Sequence, residues 1–138
     1  MTESDVAEFV TRFAAAWAAR DGDAFLALWH ADGLLHTPLL ESPIHGSELP
    51  RLNEVQKHVA PDLVWQLLDW SWRPTSDGAI VMIEWQTTRV FEGKRFDWRG
   101  VDKFTLRDGR IVEERVYQDT APLRALRAGE KLEPLLRI

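Results

Sequence analysis

The sequence predicts an α+β domain, with helices in the first half and an antiparallel meander of strands in the second. Three observations predict this. Apolar residues recur at helical spacing as far as Val59, and from Leu63 onward they alternate with period two. The alternating runs are joined by short Glu-Gly and Asp-Gly turns, so the strands fold back on their neighbours rather than cross over. The 138 residues contain no repeat, linker or low-complexity stretch, which fits a single domain over 1–138.

Each element follows from local signals. Val6, Phe9, Val10, Phe13, Ala14 and Trp17 form one face of an amphipathic helix, capped by Thr2 or Ser4 and ended at Asp21-Gly22. Asp23 is read as the cap of a short second helix with Phe25, Leu26, Leu28 and Trp29 on its apolar side, stopping at Asp32-Gly33. A brief strand through Leu34-Leu35-His36-Thr37 is halted by Pro38. After a loop, Ser47 is expected to cap a third helix that buries Leu52, Val55 and Val59. Strands then run over about 63–72, 80–91, 94–107 and 110–119. A short helix opens at Thr120-Ala121-Pro122, and Leu132, Leu135, Leu136 and Ile138 make the tail apolar enough to pack on a partner or over its own domain.

Composition excludes several function classes. A net charge of −5 leaves no basic footprint for nucleic acid. No apolar run is long enough to span a bilayer. The absence of cysteine excludes thiol chemistry and disulfides, which suits a cytoplasmic location. His30, His45 and His58 lack metal-ligand spacing, so no metal is expected. No phosphate-binding glycine loop, dinucleotide fingerprint or nucleophile elbow is present, so no cofactor is expected. Seven tryptophans, by contrast, recur on elements that share one interior.

Asp102 is the most informative residue. In the run from Phe96 to Leu106, side chains two apart share a face, which sets Asp102 among Phe96, Trp98, Gly100, Phe104 and Leu106. A carboxyl on an apolar inward face needs a partner, and its pKa tends to rise. A two-residue turn at Glu92-Gly93 sets Ile83 opposite Asp102, Trp85 opposite Gly100 and Thr87 opposite Trp98. A three-residue turn over Arg107-Asp108-Gly109 sets Glu114 opposite Asp102, Val116 opposite Gly100 and Gln118 opposite Trp98; a two-residue turn sets Arg115 opposite Asp102 instead. Paired inward carboxyls suit acid/base catalysis or a structural network with Arg89. Gly100 is read either as a bulge or as room for a ligand.

The segments Trp29-His30-Ala31-Asp32-Gly33, His36-Thr37-Pro38, Pro43-Ile44-His45-Gly46, Val101-Asp102-Lys103-Phe104 and Tyr117-Gln118-Asp119 resemble ketosteroid-isomerase-like proteins. The resemblance covers nearly the whole chain and extends to the NTF2-like superfamily, near its SnoaL-like members. It implies a cone-shaped fold, with a curved sheet wrapped around a pocket closed by the N-terminal helices, and homodimers formed through the outer sheet face. The isomerase's oxyanion-stabilising acid falls on Asp102. Its tyrosine falls on Phe13 and its general base on Thr37, neither of which can do that work. The Asp-Arg-Asp set of limonene-type epoxide hydrolases falls on Trp85, Thr87 and a position near Val116, and is absent. SnoaL-type cyclases use a pocket Asp or His, a role open to Asp102 or His36.

Two expectations follow. One is a cofactor-free enzyme acting on a hydrophobic, carbonyl-bearing small molecule by proton transfer, of isomerase, cyclase or dehydratase type. Asp102, Glu114 and His36 would carry its chemistry, and Phe13, Trp17, Thr37, Trp85, Thr87, Arg89, Trp98, Gly100, Val116 and Gln118 would line its site. The other is a binding or association domain of the same fold with no chemistry.

Overall fold

The computed structural model describes residues 1–130, apart from the side chain of Phe91. The apolar tail falls outside those residues. In chain order the elements are α1 (Glu3–Ala19), α2 (Gly22–Leu26), β1 (Trp29–His36), β2 (Ile44–His45), a 3-10 turn (Gly46–Glu48), α3 (Leu49–Val59), β3 (Val64–Pro74), β4 (Gly78–Phe91), β5 (Lys94–Arg107), β6 (Arg110–Gln118) and α4 (Ala121–Ala128). The strands form one sheet in the order β2-β1-β6-β5-β4-β3, antiparallel except for the parallel β1–β6 pair.

Capping explains the helix starts. Thr2 accepts from the Asp5 backbone N–H at 3.3 Å, and Asp5 Oδ2 accepts from the Thr2 N–H at 2.7 Å, a reciprocal box that satisfies two otherwise free donors. The second helix starts earlier than expected, because Asp21 rather than Asp23 caps it, accepting from the N–H groups of Asp23 and Ala24. It is only five residues long, and β1 already begins at Trp29, running through Asp32-Gly33. Ser47 does not cap α3; it lies inside the 3-10 turn. The buried side of α3 is Leu49 and Asn53, while Val55 and Val59 are 51% and 60% exposed. This face wins because α3 packs on α2, where the buried Asn53 amide donates to the Arg20 carbonyl at 2.7 Å.

The β4–β5 register is the expected one, with Ile83 opposite Asp102, Trp85 opposite Gly100, Thr87 opposite Trp98 and Arg89 opposite Phe96. The β5–β6 register differs. Asp108 and Gly109 both take positive φ (50° and 73°), the signature of a two-residue hairpin turn, and Arg107 pairs with Arg110. Leu106 then pairs with Ile111 but Thr105 with Glu113, leaving Val112 as a one-residue bulge. The bulge restores the parity that a two-residue turn would have inverted. From Glu113 to Gln118 every residue keeps its expected face, but Asp102 lies opposite Val116, Phe104 opposite Glu114, and Gly100 opposite Gln118; before the bulge Ile111, not Arg110, faces inward opposite Leu106. Neither Glu114 nor Arg115 is directly opposite Asp102.

The inner face is best read as rows across the sheet. One row holds Trp72, Val81, Phe104, Glu114 and Leu35, and the next Trp70, Ile83, Asp102 and Val116. Then come Leu67, Trp85, Gly100 and Gln118, followed by Trp65, Thr87 and Trp98. Helix α1 lies on this face. Phe13 meets Phe104 edge-on at 4.9 Å, Trp65 at 5.8 Å and Phe25 at 5.9 Å, each pair adding about 0.5–1.5 kcal/mol beyond area burial.

A buried carboxyl pair as candidate active site

Asp102 and Glu114 stand diagonally on adjacent strands, with side chains on the same inward face. Asp102 is 3% exposed and Glu114 7%. Around them the rows supply Ile83, Trp85, Phe104, Val116 and Leu35, so the carboxyls are enclosed by carbon. Burial pushes the Asp102 carboxyl up to about 7, with Trp85 and Glu114 drawing it partly back down. Glu114 is raised well above the ordinary carboxylate range by burial first and then by the charge of Asp102. Ionising either carboxyl opposes ionising the other, so the protons belong to the pair. Near neutrality such a pair offers a proton donor and a proton acceptor side by side.

The polar accounting around the pair is incomplete. Asp102 Oδ1 and Trp85 Nε1 are shielded from solvent and make no well-formed hydrogen bond among the described residues, although Trp85 stands close enough to draw the Asp102 carboxyl down. Leaving such a group unpaired costs about 1–3 kcal/mol. Thr87 is also buried, at 3% exposure. At the end of the neighbouring row Trp98 Nε1 donates to Gln118 Oε1 at 3.2 Å, which ties the two residues together.

The other expected site residues divide. Phe13 is fully in the core, and Trp17 stacks on Trp65 with centroids 5.7 Å apart and planes 9° from parallel. Gly100 neither bulges nor leaves a space, because a Cβ built there would lie 2.3 Å from Trp85 Cζ2. The indole already occupies the room the glycine provides. Arg89 turns to Asp62, with Nη2–Oδ1 at 3.3 Å, and is not joined to the carboxyl pair. His36 lies on the opposite face of the sheet, since its β1 neighbour Leu35 is paired with Glu114 and His36 with Arg115. Its Nε2 is 3.4 Å from Glu113 Oε1. His36 and Thr37 line a recess of about 280 Å³ with Pro38, Arg115 and Tyr117. A second recess, of about 500 Å³, lies against Pro38, Arg99 and Tyr117. Neither recess is lined by Asp102 or Glu114. No group of three metal-ligating side chains occurs among the described residues, and no described helix is long and apolar enough to cross a membrane.

Trp65 and Trp70 were not singled out from the sequence as interior residues, though their signal was present. Trp65 and Leu67 share one parity, Trp70 and Trp72 the other, and a bulge between Leu67 and Asp69 turns all four inward.

Solved structures share this architecture. AclR from Streptomyces galilaeus, a candidate hydroxylase, superposes with a TM-score of 0.73 at 19% identity over 97% of this chain and 87% of its own. A candidate SnoaL-like polyketide cyclase from Jannaschia sp. CCS1 gives 0.68 at 22% identity, over 89% and 91%. A candidate polyketide cyclase from Xanthomonas campestris pv. campestris gives 0.71 at 18%, over 88% and 96%. No curated protein matches by sequence. Residues 10–114 match the SnoaL-like domain, and with the fold and its inward carboxyl this shows that the chain belongs to the SnoaL-like family of the NTF2-like superfamily.

Proposed function

We propose that the chain is a cofactor-free enzyme that moves protons on a hydrophobic, carbonyl-bearing small molecule, as an isomerase, cyclase or dehydratase does. The observation that carries this reading is the Asp102–Glu114 pair, buried on the inward face with both carboxyls raised, beside the solvent-shielded Trp85 N–H. An ionised carboxyl of the pair takes a proton from carbon next to the substrate carbonyl. The protonated carboxyl, with the Trp85 N–H, donates to the oxygen as negative charge develops there. Thr87 and the Trp98–Gln118 couple orient the ring system, and Phe13 and Trp17 face it with carbon. Arg89 and His36 have no part in the chemistry. Structural neighbours described as polyketide cyclases lend support, as does TerC, which was co-crystallised with polyporic acid.

The test is deuterium exchange at carbon, followed by NMR for a panel of aromatic polyketones that carry a C–H next to a carbonyl. Wild type is expected to accelerate exchange for at least one member, and Asp102→Asn to slow it by about 10²–10⁴-fold. Exchange that is equally fast in Asp102→Asn and Glu114→Gln would remove the pair from the chemistry. A second reading, ligand binding or a closed core without catalysis, is favoured by the low exposure of both carboxyls and by neither of them lining a recess, although Val116 opposite Asp102 lines both. Binding without exchange across the panel would establish it.

We also propose a homodimer through the outer sheet face, which is largely polar, with Met82, Val90, Val101 and Tyr117 among its apolar members. Light scattering should then give about twice the 15.9 kDa of one chain, and a monomer mass would contradict the dimer.

A further inference from the structure

Arg20 closes α1 in the left-handed region, at φ 50°. It ties α1 to α3: its carbonyl accepts from Asn53 Nδ2 at 2.7 Å, and its Nη1 donates to the Ala60 carbonyl at 2.7 Å, at the end of α3. The remaining edge of the guanidinium, Nε and Nη2, is shielded from solvent and has no partner among the described residues. That edge is the planar fork that grips a carboxylate through two parallel N–H···O bonds. Acidic residues nearby in the chain are engaged elsewhere. Asp21 caps α2, and Asp62 accepts from the Val90 N–H at 2.6 Å and from Arg89 Nε at 3.3 Å.

One helical turn before Arg20, Trp17 Nε1 is a further shielded N–H without an acceptor among the described residues. Asn53 Oδ1, on the residue that holds the Arg20 backbone, is an acceptor without a donor. Arg20 as a whole is half-buried, but a shielded guanidinium edge with no counter-ion among the described residues, and three unmatched N–H groups one helical turn apart, call for an anion.

We infer that the Nε–Nη2 edge of Arg20, with the Trp17 indole N–H, is a subsite for a carboxylate at one end of an elongated aromatic ligand. This rests on the proposed reading of the inner face as a ligand site, and adds the ligand's anionic end and its length. Trp17 stacks on Trp65, which begins the row through Thr87 to Trp98. Trp98 precedes Asp102 by four positions on β5, which corresponds to about 13 Å along an extended strand. A molecule with its carboxylate at Arg20 and its reacting carbonyl at Asp102 would pass the Trp65–Thr87–Trp98 row as well as that stretch of β5, so it is elongated rather than a single ring.

The experiment compares an anthracenecarboxylate with its neutral carboxamide, by energy transfer from tryptophan. Wild type is expected to bind the acid about 10–100-fold more tightly. Arg20→Gln should erase that preference, Arg20→Lys should keep only part of it, and Asp102→Asn should leave it intact. Equal binding of the two probes, binding of neither, or a preference that survives Arg20→Gln would each overturn the subsite. Thermal melts identify a variant that has failed to fold, and in that case the wild-type comparison and Arg20→Lys decide. Acid preference without carbon exchange would refute the proton-transfer reading alone; exchange without acid preference would refute the subsite alone.

Discussion

Folding stability should fall as pH rises toward neutrality, and the Asp102–Glu114 pair should be the cause. An unfolded aspartate titrates near its ordinary value of 3.8, whereas in the fold Asp102 is held at about 7 because burial penalises its charge. Between those values the native state binds a proton that the unfolded state has released, so unfolding becomes easier with each step up in pH. The contribution of the neutral carboxyl is fully present below the unfolded pKa and is lost as pH rises through the folded one. A displacement of about three units corresponds to roughly 4 kcal/mol at about 1.36 kcal/mol per unit. Glu114, raised in the same direction, adds to the loss across the same range and carries it to higher pH. Urea unfolding at intervals from about pH 5 to about pH 8.5 measures this directly, since midpoints convert to free energy through a common slope. Wild type should lose most of those 4 kcal/mol across the range, and Asp102→Asn should show a much flatter profile. A flat wild-type curve, or the same decline in Asp102→Asn, would refute the assignment of a neutral carboxyl to the folded state.

Gly100→Ala should destabilise by about 1–3 kcal/mol, the usual range for overpacking a filled interior, because its Cβ would press on the buried Trp85 ring. A calorimetric melt unchanged to within about 0.5 kcal/mol would show that the indole can move aside. Phe104→Ala removes a ring that is 0% exposed and touched edge-on by Phe9 and Phe13, so a loss of about 3–5 kcal/mol is expected in urea. His36→Gln should leave carbon exchange unchanged, since His36 lies across the sheet from the carboxyl pair; a loss resembling that of Asp102→Asn would place it in the chemistry.

Legibility in the sequence followed the range of the interaction involved. The β4–β5 hairpin was readable to the residue, because Glu92-Gly93 admits one tight turn and long alternating strands then propagate its register. Asp108-Gly109 permits more than one turn, and the Val112 bulge carries no side-chain signature, so the partner of Asp102 could not be read. Beyond the bulge the faces survived the error because turn and bulge together shift the register by two. On α3 the apolar pattern pointed to Val55 and Val59, but Asn53 is buried because a carbonyl thirty-three residues away satisfies it. The inward position of Asp102 needed only strand alternation. The isolation of Arg20 depends on where Ala60, Asp21 and Asp62 end up, which no local pattern records.

The central claim is that Asp102 and Glu114 form a carboxyl pair protonated into the neutral range and able to exchange protons with a ligand. The measurement that tests it most directly is a carbon-13 NMR titration of the Asp102 and Glu114 carboxyl signals, assigned with Asp102→Asn and Glu114→Gln. The account predicts a midpoint at about 7 for Asp102, with Glu114 still protonated well above the ordinary range. Two ordinary titrations near about 4 would contradict it, because both carboxyls would then be charged and unsuited to the proposed chemistry.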